Sequence, residues 1–420
     1  MWLPSLSLLL LALTQRSIGD IDVSLPASNY SVWMASSIIS RSQGILTNTN
    51  DSSIFLQAGF TQKAFRRLID QYPGPDSNVY RDYIDTSVSS IVPVLLNASR
   101  DTTYPLDRFS NGNALLSLGQ RNKNTSDALT ALRQSIDLQP RNPDGGLWYY
   151  VYPEWSYLDG MYSLVPFYSL YTLHHSFNST TNTTALSDIF HQLDLLWQHC
   201  YHNQTGLLVH GYDWSRTAVW VDPNQDTGAS PHVWGRSLGW YAMSVVDTLE
   251  ILDPFVHSHS SDTNLYNEWN TLKSRFAQLA YAIANATDPT SGAWWQILDQ
   301  PGREGNYIES SGSAMFVYAL LKGLRLGYLS NHVEIGVNAT RLAQDSRPSL
   351  TKLATRAYSY IVQNFVVNNG NGTLGYNGTV SVCSLNSTAS YDYYVTRPIN
   401  YNSILGSGAF VLASLEYEKL

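Results

Sequence analysis

Apolar residues along this chain recur at spacings of three and four far more often than at two. Leu265, Trp269, Leu272, Phe276, Leu279, Ala280 and Ile283 form one stripe of this kind. Leu350, Leu353, Ala354, Ala357, Tyr358 and Ile361 form another. Applied throughout, the pattern predicts about twelve helices, near 31–42, 54–71, 78–92, 108–119, 126–137, 158–174, 186–202, 236–252, 265–286, 311–329, 349–366 and 403–418. Alternating strand patterns are short and confined to about 205–221 and 373–383. No Pro/Ser-rich linker interrupts the series, so 20–420 reads as a single domain.

The loops repeat as well. NPDGGLWYY, NQTGLLVH, DPTSGAWWQ and NGNGTLGY each carry a polar turn, a glycine and then bulky residues. With Gly146, Gly206, Gly292 and Gly372 taken as equivalent, Tyr150, His210, Gln296 and Tyr376 fall at matching places. Each loop leads into a helix opened by small residues: LDGMYSL, SLGWYAM, SGSAMFV or GSGAFVL. A helix hairpin stacked repeatedly shares one core. Six hairpins can close into an all-α toroid, the (α/α)6 barrel, with the repeated loops at one end. An open α-solenoid is the alternative.

Composition narrows the function. At 420 residues, 44% hydrophobic and 14% charged, the chain is neither disordered nor a coiled coil. A net charge of -8 with scattered Lys and Arg excludes nucleic acid and an anionic membrane as natural partners. The 28 Tyr and 12 Trp suit ring stacking on a ligand, or simply a Tyr-rich core. Residues 1–19 read as a cleaved signal peptide: the apolar run Trp2 to Leu13 is too short to span a bilayer and precedes the small residues of Ser17-Ile18-Gly19. Asn-x-Ser/Thr occurs at Asn29, Asn50, Asn97, Asn124, Asn178, Asn182, Asn203, Asn285, Asn338, Asn371, Asn377 and Asn386. Together these features predict a secreted, extracellular protein bearing N-linked glycans. A monomer is expected. Cys200 and Cys383 could pair or stay as free buried thiols.

HExxH, CxxC and P-loop motifs are absent from the sequence. Asp107, in YPLDRFSNGNALL, and Asp159, in WSYLDGMYSL, sit where loops enter apolar helices, and helix capping alone could explain either. Trp155 and Tyr157 beside Asp159 would desolvate it and raise its pKa, as a general acid requires. His210 falls on the repeated rim. Arg236 lies between Trp234 and Trp240, an arrangement that suits either a bidentate carboxylate clamp or an Arg packed flat in the core.

These strings resemble the unsaturated rhamnogalacturonyl hydrolases, glycoside hydrolase family 105, and less strongly the unsaturated glucuronyl hydrolases of family 88. The family's WLDGLYMAxPF, WGRxxGWYAMAL, SGSAMFVYAL and GxGxFxLASxE appear here in order as YLDGMYSLVPF, WGRSLGWYAMSV, SGSAMFVYAL and GSGAFVLASLE. The resemblance runs from about Trp33 to the C-terminus. It implies an (α/α)6 barrel that hydrates the 4,5 double bond of the unsaturated uronic acid ending lyase-generated oligosaccharides, with no metal or organic cofactor. It implies Asp159 as the acid/base and Asp107 as the carboxylate that modulates it and keeps it protonated. His210, Trp234, Arg236, Trp240 and Tyr157 are implied as substrate-binding residues, Arg236 gripping the uronate. Two departures bear on saccharide preference: EWSYLDG stands for QMWLDG, placing Tyr157 where a Trp is usual, and Ser163-Leu164-Val165 follows in the helix. The alternatives are the same chemistry on ulvan or glycosaminoglycan fragments, an ordinary inverting glycosidase, and a carbohydrate-binding protein without activity.

Overall fold

A computed structural model describes residues 29–47, 51, 53–118, 122–175, 179–259, 262–331 and 349–420. Segment 1–19, expected to be a signal peptide, and the sequons at Asn50, Asn178 and Asn338 lie outside the described residues. Among the described residues twelve main helices follow one another: α1 Tyr30–Ser40, α2 Ile54–Gln71, α3 Asn78–Ile91, α4 Gly112–Leu118, α5 Lys123–Asp137, α6 Leu158–His175, α7 Ser179–Cys200, α8 Gly235–Ser258, α9 Thr263–Asn285, α10 Ser310–Arg325, α11 Leu350–Phe365 and α12 Ile404–Tyr417.

The even-numbered helices form a closed inner ring. Starting from α2, each packs on the next through α4, α6, α8, α10 and α12, and α12 returns to α2. Closure excludes the open solenoid. The odd-numbered helices form the outer layer: α3 lies on α2, α5 on α4, α7 on α6, α9 on α8 and α11 on α10, while α1 covers α12. Burial follows the same division. In α8 every residue from Gly235 to Leu249 is buried, including its polar ones, because neighbours enclose it on all sides. Outer α9 buries only the stripe Leu265, Trp269, Leu272, Phe276, Leu279, Ala280 and Ile283, with Ala284 beside it. Each large apolar side chain on that face stabilises the layer by about 1.5–3 kcal/mol.

The expected helix at 108–119 is shorter than its pattern. Leu106–Asn111 is a 3-10 turn, and α4 begins only at Gly112. A side chain at Gly112 would come within 2.1 Å of the Phe167 ring, so α4 rests directly on α6 there. Conversely, α8 continues beyond 252 to Ser258 through Pro254. Among the described residues there are three small two-stranded antiparallel sheets: β1 (Trp155–Tyr157) with β4 (Gly211–Asp213), β2 (Tyr201–His202) with β3 (Leu207–Leu208), and β5 (Val366–Asn368) with β6 (Leu374–Tyr376). Cys200 and Cys383 are both free and buried.

Candidate active site

The repeated loops meet the inner helices through a recurring backbone stitch. The N–H groups of Leu106, Leu158 and Gly235 donate to the carbonyls of Tyr149, His210 and Gln296 at 2.8, 3.1 and 3.0 Å. In each case the next residue along the helix start carries a charge: Asp107, Asp159 and Arg236. The stitch also corrects the loop alignment. Gly206, Gly292 and Gly372 all adopt positive φ, but in the first loop the left-handed glycine is Gly145 (φ 87°), not Gly146. Counted from Gly145, the equivalent of His210 and Gln296 is Tyr149 rather than Tyr150.

Asp107, Tyr157, Asp159, Trp234, Arg236 and Trp240 line a single cleft at this end of the barrel, together with Tyr149, Tyr150, Tyr152 and the segment Val382-Cys383-Ser384. Capping does not explain either carboxylate. Asp107 lies inside a 3-10 turn whose preceding residue is Pro105, and Asp159 is the second residue of α6. Asp107 accepts from the Tyr149 hydroxyl at 2.9 Å, and its other oxygen is buried without a partner. Asp159 accepts a short hydrogen bond from the Ser237 hydroxyl, one turn into α8.

Burial first, and then the charge of Asp159, push the Asp107 carboxyl up to about 7, against the Tyr149 hydrogen bond and Arg108. The physical reason is solvation. Asp107 is buried, with one donor, the Tyr149 hydroxyl, for two oxygens, and the Tyr149 ring is itself stacked on Tyr157 at 4.2 Å.

His210 stands one layer behind the cleft surface and is 1% exposed. Its Nε2 lies 3.3 Å from Asp159 Oδ2 but out of line for a hydrogen bond. Nδ1 meets the Tyr394 hydroxyl at 2.8 Å. The placement makes His210 a support for Asp159 rather than a wall of the cleft. Trp234 is anchored through its indole N–H to Gln296 Oε1, and Trp240 packs against the rings of Phe60 and Tyr162 at 4.8 and 4.5 Å.

Arg236 lines the cleft and stacks over Trp234 at 4.8 Å, while its guanidinium donates to the carbonyls of Val380 and Ser381. The Val380 N–H donates in turn to the buried carboxylate of Glu309. The two side chains therefore pin Val380 from both sides and hang the following residues, Val382 to Ser384, over the cleft. Sequence reasoning missed Tyr149, Ser237 and Glu309. The loop repeat held the signal for Tyr149, but the Gly145-Gly146 pair concealed its register.

The profile described as Glycosyl Hydrolase Family 88 matches residues 34–420. The chain belongs to this family. A solved family 105 glycoside hydrolase from C. acetobutylicum ATCC 824 is 31% identical, with 94% of this chain and all of that one covered at a TM-score of 0.75. Among curated proteins, Protein Atu3128 of Agrobacterium fabrum is 35% identical over 217 residues, 50% of this chain and 82% of that one. The unsaturated glucuronyl hydrolase of Bacillus sp. GL1, described as responsible for the degradation of glycosaminoglycan, shares the fold at 11% identity and a TM-score of 0.57, with 93% and 95% covered. The family 105 resemblance and the (α/α)6 barrel thus hold, and the protein is a glycoside hydrolase whose substrate is an oligosaccharide. No described helix is long and apolar enough to cross a membrane.

Proposed function

We infer that this glycoside hydrolase removes the 4,5-unsaturated uronic acid from the non-reducing end of lyase-generated rhamnogalacturonan oligosaccharides by hydrating its double bond. The observation carrying the reading is the pair Asp107 and Asp159 in an aromatic cleft. The pair holds a proton near neutral pH, which a vinyl ether needs at C4. In the proposed reaction Asp159 delivers that proton to C4 and then accepts one from the water that adds at C5. The hemiketal so formed opens, and the saturated remainder leaves. Ser237 and His210 hold Asp159 in place, and Trp240 forms the floor beneath the sugar ring. Because Trp240 closes the cleft from below with Phe60 and Tyr162, the site suits a chain end rather than a chain interior.

Arg236 is the proposed partner of the uronate, reached by donors its two carbonyl contacts leave free. We place the protein outside the cell. In support, the eight described sequon asparagines with resolved burial (Asn29, Asn97, Asn124, Asn203, Asn285, Asn371, Asn377 and Asn386) are all exposed. The test is incubation with lyase-generated rhamnogalacturonan oligosaccharides, following loss of the conjugated ultraviolet absorbance. In deuterium oxide and heavy-oxygen water, deuterium should appear at C4 and the oxygen label at C5. A product that keeps its absorbance and carries its oxygen label at C1 is the outcome of ordinary displacement and overturns the mechanism. Faster turnover of glycosaminoglycan or ulvan fragments reassigns the saccharide.

A further inference from the structure

The residues lining the cleft divide into a buried interior and a rim. Asp107, Asp159, Trp234, Arg236 and Trp240 are buried, whereas Tyr150, Tyr152 and Ser384 are half-buried and Val382 is 40% exposed. Among the described residues of the lining Arg236 is the only cation, and it belongs to the interior. The enclosed space is about 80 Å³, which leaves no room for two sugar rings. A sugar linked to the ring beside Asp159 must therefore meet the rim. That rim carries no charge, and its most exposed member is an aliphatic side chain. An exposed valine is ordinary by itself. Val382 differs in how firmly its backbone is held. The Ser381 carbonyl accepts from Arg236 at 2.7 Å, and the Val382 carbonyl accepts from Arg397 at 3.1 Å. The Ser381 N–H donates to the Pro398 carbonyl and the Ser384 N–H to the Tyr393 hydroxyl, both at 2.8 Å. Arg397 also lies over the Tyr393 ring at 5.6 Å and is not part of the lining. The aromatic part of the rim is braced likewise, Tyr150 edge-on to Tyr152 at 5.3 Å and Tyr152 against Trp155 at 5.2 Å.

We propose that Val382 is a specificity-determining residue that selects a 6-deoxyhexose as the sugar next to the unsaturated uronate. The assignment rests on the hydration reading above and names the side chain that inspects the second ring. The methyl group of a 6-deoxy sugar buries apolar surface against the valine isopropyl group. A 6-hydroxyl at the same place gives up water and receives no hydrogen bond from valine in return. Ser384, the nearest polar residue along the segment, already accepts from the Asn386 N–H at 3.1 Å. Tyr150 and Tyr152 offer apolar ring surface to the same sugar. A sulfated or uronate second sugar finds no cation on this rim. Because the backbone around Val382 is fixed at both flanks, the selection is built into the free protein, without closure of a loop.

The test compares two disaccharides, unsaturated galacturonate linked to L-rhamnose or to L-mannose, which differ only by the 6-hydroxyl. The methyl glycoside of the unsaturated uronate, which lacks a second ring, is the control. Loss of ultraviolet absorbance gives kcat/KM for each. The parent should favour the rhamnoside by roughly tenfold, the lower end of what one small group contributes in an apolar contact. Val382→Thr keeps the branched shape and adds a hydroxyl. It should cut the ratio several-fold while leaving the methyl glycoside unchanged, which a merely structural role for Val382 would not do. No preference in the parent, an equal ratio in parent and variant, or equal slowing of the methyl glycoside overturns the assignment. If the parent turns over none of the three, the hydration reading fails instead. The same ratio, taken as binding affinities by calorimetry, then decides Val382.

Discussion

Asp107 and Asp247 are buried aspartates on inner elements of one barrel, and their surroundings drive their protons in opposite directions. Asp107, at the loop end, meets one tyrosine hydroxyl and a second carboxylate, and its pKa climbs to about 7. Asp247, in the lower half of α8, accepts from Lys63, Lys322 and the Tyr318 hydroxyl. Burial works against its charge too, but Lys322, Lys63 and Arg67 outweigh it and hold the carboxyl well below the usual range. One carboxylate has been desolvated without compensation, and the other has been neutralised by cations. A chemically useful proton can be held only in the first setting.

Four substitutions sharpen that contrast, beginning with the largest effect. Asp159→Asn removes the group assigned both proton transfers, so turnover should fall by about 10²–10⁴-fold with an unchanged circular dichroism spectrum. Near-normal turnover in the folded variant would remove Asp159 from the role. Asp247→Asn leaves buried Lys63 without its carboxylate partner and Lys322 with Glu250 alone. It should cost about 3–5 kcal/mol in urea unfolding while activity per folded molecule persists; an undisturbed midpoint contradicts the structural role.

The third comparison is one of pH. Asp107 has a folded pKa above its unfolded one, so its contribution to stability is present below about pH 4 and is lost as pH rises through 7. Asp107→Asn should therefore be more stable than the parent at pH 8, by on the order of 2–4 kcal/mol, and lose that advantage near pH 4. Asp247 has the opposite sign: its contribution is present above about pH 4 and disappears only as strong acid protonates it. Chemical denaturation of both variants at several pH values reads the two signs directly.

The smallest expected effect is that of Arg236→Lys. Lysine keeps the charge but cannot donate in the guanidinium geometry, losing about 1 kcal/mol for each hydrogen bond not remade. A greater loss on unsaturated uronates than on their methyl esters assigns the residue to the substrate carboxylate. Equal losses assign it to holding Val380 and the segment that follows.

Much of this arrangement is legible in the sequence, for identifiable reasons. Outer helices such as α9 and α11 announce themselves because one face is apolar and the other wet. Inner helices are less periodic, yet strings such as WGRSLGWYAMSV mark them through residues that enclosure demands. Asp107, Asp159 and Arg236 were visible because each opens an inner element beside a repeated loop. The partners of these residues were not. Ser237 reaches Asp159 across 78 positions, and Glu309 reaches Val380 across 71, distances over which a local pattern carries no information. The raised Asp107 carboxyl was hidden for the same cause, because it depends on burial beside Tyr149, 42 positions away.

The ring cluster of Phe60, Tyr162 and Trp240 has a kinetic consequence. It divides the barrel's axis into two cups, so the upper one has a floor and a single doorway. Whatever enters must leave by the same route, and a departing sugar occupies the space the next chain end needs. Released uronate should accordingly slow the enzyme as a competitor of incoming substrate, raising the apparent KM while leaving the limiting rate unchanged.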